Sequence, residues 1–289
     1  ERAMILAMAE MYVQGVSTRK VTAIVEELCG LEVTSTQVSR AAAELDEQLH
    51  AWRNRPIGEI TYLVLDARYE KVRHDGAVRS CALLTAIGID TDGKRSVLGC
   101  SVQLSEAEPH WRKFLESLQK RGMHGVKLVV SDDHAGLRAA RQAVMAGVPW
   151  QRCQFHTIRN AMAHVPKVAM RTDVARDLRR IFDADEPAEA ERRLKDVVAG
   201  YQKTAPQLAA WLEQSAPEAI TVLTIPLAHR RRLRTTNGLE RLNKEIKRRT
   251  RVATLFPNEA SLLRLASAVL SEISDDWETE RAYLNMEAR

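Results

Sequence analysis

The residues of this chain best suited to chemistry lie in the stretch Thr235 to Thr250, TTNGLERLNKEIKRRT. On a helix, Leu239, Leu242 and Ile246 form a narrow apolar stripe that must pack on something. Asn237, Lys244 and Lys247 share a different face with Glu240. The plain alternative is a solvated helix in which Glu240 pairs with Lys244 at i+4. The charge distribution argues against it. From His229 to Arg251 there are ten Lys and Arg against two Glu, a net of +8, whereas the whole chain is +5. All other residues therefore sum to −3, and the positive excess gathers around one carboxylate. An acid set among cations suits a site that holds a metal ion on the acid and a polyanion on the cations. Within the stretch Glu245 competes with Glu240, but it lies between Arg241 and Arg249 and is expected to be solvated.

Two further acids end or follow apolar runs. Ile60 to Leu65 reads as a strand running into Asp66, and Lys127 to Ser131 as an uninterrupted buried strand ending at Asp132. Asp133 competes with Asp132, and the plain roles are a turn for Asp66 and a helix N-cap for Asp132. Between these strands, Arg79–Ile89 and Ser96–Leu104 are predicted to be strands joined by the turn Thr91–Lys94, and Glu106–Arg121 an amphipathic helix. Ala135–Met145 then reads as a helix and Trp150–Cys153 as a short strand. Three strands in a meander, a helix, a strand, a helix and a strand is the element order of a ribonuclease H-like α/β fold, whose first and fourth strands are neighbours. Asp66, Asp132 and Glu240 would then supply oxygen ligands for one or two Mg²⁺ ions. A metal pair suits phosphodiester chemistry.

The interval from Asp132 to Glu240 is too long for a simple finish, and Val174–Phe182, Pro187–Tyr201 and Pro206–Leu212 read as helices. The expected division is a helical, helix-turn-helix-like domain over 1–55, a catalytic domain over 56–160 and 229–289, and an α-helical insertion over 161–228. In the first domain Val21, Ile24, Val25 and Leu28 form the apolar face of the second helix. The third helix is expected to run through Leu45 to Leu49, with Thr36, Gln37 and Arg40 free to face a groove. Residues 17–50 hold three basic and six acidic residues, so this segment is not itself a polyanion binder. Asn258–Trp277 is predicted to be a long C-terminal helix. Cys153 and His156 are a weak metal motif, since a structural zinc needs four ligands, and Trp211 is a core residue or a base-stacking platform.

At 289 residues and 28% charged, the chain has the composition of a globular protein, and its pI near 9.1 favours an anionic partner. No apolar run is long enough to span a bilayer. Four scattered cysteines suggest no disulfide framework, and a reducing cytoplasm is expected. No Gly-rich phosphate loop is present, so no nucleotide cofactor is implied. The chain opens on Glu1 without an initiator Met, which suggests a fragment lacking its true N-terminus.

Four blocks together resemble the signature of the bacterial Mutator-type insertion-sequence transposases: Asp66–Arg73 (DARYEKVR), Val129–Leu137 (VVSDDHAGL), Cys153–His156 (CQFH) and Arg234–Arg251. The resemblance spans almost the whole chain, though Asp133 stands where that family often has a small residue. It implies a transposase with Asp66, Asp132 and Glu240 as the metal-binding triad and Cys153/His156 as a family marker. It also implies Mg²⁺ or Mn²⁺, two ions per site, and double-stranded DNA (element ends and target) as partner, bound by a homodimer or larger assembly. The expected DNA-contacting residues are Arg231, Arg234, Asn237, Arg241, Lys244, Lys247 and Arg248. The alternatives are a ribonuclease H-like nuclease without strand transfer and a DNA-binding repressor.

Overall fold

A computed structural model of the chain describes residues 2–250 and 255–287; the side chains of residues 2, 3 and 241 lie outside the described part. It is a mixed α/β structure in which a five-stranded sheet carries the middle of the chain. Four short helices come first: α1 (Arg2–Val13), α2 (Thr18–Cys29), α3 (Ser35–Ala43) and α4 (Asp46–Arg53). Ser17 caps α2 by accepting from the Lys20 amide. Three expectations fail here. The chain turns off α2 at Gly30, in the left-handed conformation, and Leu28 is left 78% exposed instead of packed. The third helix also stops at Ala43, and Leu45 and Leu49 belong to a turn and to α4. Gln37 is not free either, because its side chain accepts from the Thr34 amide in a capping box.

The sheet is built from β1 (Ile60–His74), β2 (Ala77–Asp90), β3 (Arg95–Gln103), β4 (Leu128–Ser131) and β5 (Trp150–Arg152), in the order β3-β2-β1-β4-β5. The first three strands are antiparallel, whereas β1–β4 and β4–β5 are parallel. The first and fourth strands are neighbours, as the element order requires. β1 is longer than expected. It continues eight residues beyond Asp66 to a two-residue turn at Asp75–Gly76, where both residues have positive φ (48° and 76°). Positive φ at both positions is the geometry that a tight hairpin demands of an Asp-Gly pair. Asp66 therefore sits inside a strand, not at its end.

Side-chain alternation sorts the two faces. Leu63, Leu65 and Val129 pack with α5 (Glu108–Lys120) and α6 (Ala135–Val144) through Trp111, Leu115 and Leu137. Tyr62, Val64, Leu128 and Val130 face the other way. That second face is covered by the rest of the chain: α7 (Gln154–Ala161), α8 (Arg171–Phe182), α9 (Pro187–Tyr201), α10 (Pro206–Ser215), α11 (Leu227–Leu233), α12 (Asn237–Thr250) and α13 (Glu259–Thr279). Buried Gln151 of β5 clamps the helical segment to the sheet, donating to the Ala219 carbonyl (2.8 Å) and accepting from the Val222 amide (2.6 Å). His229 accepts the Tyr62 hydroxyl proton on Nδ1 and donates from Nε2 to the Asn285 carbonyl, each at 2.8 Å. With both nitrogens engaged, that histidine ties β1 to the C-terminal tail. No helix is long and apolar enough to cross a membrane among the described residues.

Candidate active site

Parity puts Asp66 two residues beyond Val64 and Asp132 two beyond Val130, so both carboxylates project from the α12-covered face. Leu65 and Ser131 are paired across the parallel strands, which makes Asp66 and Asp132 the next step on adjacent strands. Each carboxylate accepts the amide of its successor: Asp66 Oδ1 from Ala67 at 2.9 Å, and Asp132 Oδ1 from Asp133 at 2.8 Å. Burial pushes Asp66 up to about 7, against the Ala67 hydrogen bond and the positive charge of His156 and aided by Asp132 and Glu106. A carboxyl raised this far by desolvation is poised to gain from a nearby cation.

Helix α12 arrives at this face through its apolar stripe. Leu239, Leu242 and Ile246 are essentially fully buried, each worth about 1.5–3 kcal/mol relative to exposure. That packing outweighs the roughly 1–3 kcal/mol cost of a buried polar atom without a partner, and α12 contains one: Glu240 Oε1 is buried and accepts no hydrogen bond. One turn further on, Asn243 Nδ2 donates to Asp66 Oδ2 at 2.8 Å, and the Asn243 carbonyl accepts from Arg68 at 3.0 Å. Asn243 thus joins the helix of Glu240 to the strand of Asp66. The three carboxylates do not form a closed cage. Among the described residues no group of three His, Cys, Asp or Glu side chains is close enough to hold a metal ion. As donors the residues nevertheless fit a divalent cation: hard oxygens, one of them buried and partnerless, and a second whose charge is disfavoured without a cation.

Asp133, the competitor of Asp132, is fully occupied. Its Oδ1 accepts from Arg138 Nη2 (2.7 Å) and its Oδ2 pairs with Arg152 Nη1 (3.0 Å), and Glu218 completes the network. Arg152 is 2% exposed and lies over the ring of Trp211, so Asp133 neutralises a buried cation. Trp211 itself is half-buried, packs on the core and stacks on His164.

Cys153 and His156 stand beside the carboxylates. His156 Nδ1 lies 3.5 Å from Asp132 Oδ2, and the imidazole is pushed up to about 9, chiefly by the Cys153 sulfur and further by Asp132 and Asp66. The Cys153 thiol is buried, which raises its pKa, but His156 and Thr236 outweigh burial and lower it. Its sulfur accepts from the Thr236 amide (3.4 Å) and hydroxyl (3.5 Å), just ahead of α12. The pair thereby connects Asp132 to the start of the helix that carries Glu240.

The cationic residues separate into groups. Lys244, Lys247, Asn237 and Arg231 are exposed. Arg234 pairs with Asp183 at 2.9 Å, and Arg248 with Glu245 at 2.7 Å. The Arg241 side chain lies outside the described residues. Glu245 stays partly exposed, as expected, but is also paired. It bonds Arg248 and Arg249, which hold it down to about 2, and Arg249 in turn bonds Glu272 of α13. Three residues escaped the sequence reading. Asn243 had its spacing from Glu240 as a signal, one turn on the same helix. Glu106 approaches Asp66 from the β3–α5 connection, where nothing local marks it. Gly136 packs on the backbone of that connection, where a Cβ would meet the Glu106 carbonyl oxygen at 2.0 Å.

Residues 1–280 match the family model described as transposase, Mutator family. The chain is 57% identical over 287 residues to the transposase for insertion sequence element IS406 of Burkholderia multivorans, covering 99% of this chain and 74% of that one. Against the transposase for ISRM5 of Rhizobium meliloti the identity is 44%, over 99% and 72% of the two chains. Against that for IS256 in transposon Tn4001 of Staphylococcus aureus it is 38%, over 99% and 74%. With a sheet that brings two aspartates together, a basic helix tied to one of them and relatives of this closeness, the chain belongs to the Mutator family of transposases.

Proposed function

We propose that this chain cleaves a DNA phosphodiester at the ends of an insertion sequence and transfers the freed 3′-hydroxyl to a target strand. In this reading residues 56–160 and 229–289 form a ribonuclease H-like catalytic domain, 161–228 an inserted helical domain, and 1–55 a helix-turn-helix-like domain. The supporting observation is the Asn243–Asp66 hydrogen bond, which sets the helix of Glu240 against two aspartates on adjacent parallel strands. Asp66, Asp132 and Glu240 would hold Mg²⁺ or Mn²⁺, two ions per site, which when bound activate the attacking oxygen and stabilise the leaving one.

The chain's own residues do the rest. Lys244 and Lys247 present exposed charge to phosphates on one side of α12, with Arg231, Arg234 and Arg248 extending the cationic surface. The His156 imidazolium offsets the charge that Asp66 and Asp132 place side by side. Asp133 keeps Arg152 from competing for Asp132. Asn243 can keep its hydrogen bond while Asp66 serves a cation, since a carboxylate has lone pairs enough for both, and it thereby orients that carboxylate. Holding two element ends together calls for a dimer or larger assembly on DNA.

The test supplies a pre-cleaved duplex bearing the element end, a supercoiled target and Mg²⁺. Joined products that vanish in Asp66→Ala, Asp132→Ala and Glu240→Ala, with DNA binding retained, are expected. Nicking without joining would assign a hydrolytic nuclease. Activity surviving in Glu240→Ala would remove that residue from the site.

A further inference from the structure

Helix α7 presents a residue that the proposed chemistry leaves unused. Phe155 is 51% exposed, although its neighbours Gln154 and Thr157 are buried. Its ring meets that of His156 edge-on at 5.3 Å, and His156 in turn reaches Asp132. The phenyl group therefore stands one side chain away from the candidate active site. It lines a cavity of about 430 Å³ between α7, α8 and the start of α12. Ile158 and Phe182 supply further apolar wall, Arg159 and Arg179 supply guanidinium groups, and Asn237 supplies an amide.

We propose that this cavity takes a single nucleotide, its base unstacked from the DNA beside the scissile phosphate and laid on Phe155, its phosphate against Arg159 and Arg179. The proposal rests on the DNA-cleavage reading above. An exposed aromatic ring flanked by cations is the combination that binds a base by its π-face and the backbone by charge. Phe155 and Arg159 stand at i and i+4, so one face of α7 offers both. Neither Arg159 nor Arg179 forms an ion pair among the described residues. The one acid at the rim, Asp183, is engaged by Arg234 at 2.9 Å, which reduces its repulsion of a phosphate. The volume exceeds what a planar base needs and is far too small for a duplex. Duplex DNA lying across the lysines of α12 can therefore reach the cavity only by extruding a nucleotide, at a cost of a few kcal/mol that stacking must offset.

The experiment uses the full chain and an element-end duplex carrying 2-aminopurine, in turn, at each of the three positions on either side of the cleavage site. Binding without divalent metal is expected to raise the fluorescence several-fold at one position and to leave the others unchanged. Phe155→Ala should remove that response and slow cleavage roughly ten- to a hundredfold, the loss of one stacked base. Phe155→Trp, which keeps a platform, should retain both. A mismatch at the responding position, which lowers the extrusion cost, should restore part of the Phe155→Ala loss. A bound and cleaved duplex with no responding position overturns the pocket and leaves the transposase reading intact, as does a Phe155→Ala protein that cleaves like the wild type. A responding position without any cleavage supports the pocket and removes the catalytic reading. A protein that binds no duplex removes both.

Discussion

Replacing Asp66 with Asn is expected to stabilise the metal-free protein, by an amount that grows as pH rises from about 4 and is complete above about 7. Folding moves this carboxyl from 3.8 up to about 7. A raised acid binds its proton more tightly folded than unfolded, so ionisation opposes folding increasingly as pH rises from about 4 to 7. Three units at about 1.36 kcal/mol each set an upper bound of about 4 kcal/mol by pH 8. The side chain retains some exposure, so solvent relaxation reduces this to roughly 2 kcal/mol. Below pH 4 the two proteins should be nearly equal. Urea denaturation in EDTA, at pH 4, 6 and 8, measures the difference directly. Adding Mg²⁺ at pH 8 should stabilise the wild type by ligand linkage and leave the variant little changed. A stability difference independent of pH, or an equal response of both proteins to Mg²⁺, would refute the reasoning, because Asp66 would then be neither desolvated nor a cation ligand.

Asp133→Asn should behave oppositely to Asp132→Asn: it removes the principal partner of buried Arg152 and should lower the unfolding free energy by about 3 kcal/mol, whereas Asp132→Asn should abolish cleavage with little change in stability. Glu245 is depressed to about 2 by Arg248 and Arg249, so its contribution is complete above pH 4.5 and lost as pH falls toward 2. Glu245→Gln should flatten the acid limb of the stability profile in that window, as followed by circular dichroism. Lys244→Ala should weaken DNA binding in a fluorescence anisotropy titration and reduce the salt slope by about one unit if the lysine meets a phosphate.

Much of this arrangement is written in local patterns. Unbroken apolar runs announced β1 and β4, and the 3.6-residue spacing of Leu239, Leu242 and Ile246 announced the buried side of α12. Asp66 and Asp132 were visible because each interrupts an apolar run with a charge. What escaped lay partly in local capping and ion pairing and partly in long-range contact. Gln37 reads as a groove-facing amide until its own helix start claims it. Leu28 keeps helical spacing, yet nothing packs where it points. Glu245 accepts from Arg248 and Arg249, three and four residues on, and Arg249 also reaches Glu272 of α13, more than twenty residues away. The far half of β1 was missed although Asp75–Gly76 is a strong hairpin signal, because Arg68 to Arg73 alternates charge and apolarity too weakly to read as strand.

The order in which the parts are synthesised gives the C-terminal segment a particular weight. β1 completes its backbone pairing at Lys71 and Arg73 only with Phe256, and β3 is covered by α13, whose Ser274 accepts the Val97 amide. The Tyr62–His229 contact is likewise finished by Asn285. A chain emerging from the ribosome has its sheet strands long before the groups that close one face of that sheet. Contacts of such sequence separation are slow to form. Until residues 258–287 appear, the α12 side of the sheet remains open to wrong partners. A chain cut near residue 257 would therefore keep all three carboxylates of the proposed triad and lose the helix and tail that close this face, leaving the residues of the site without the packing that holds them.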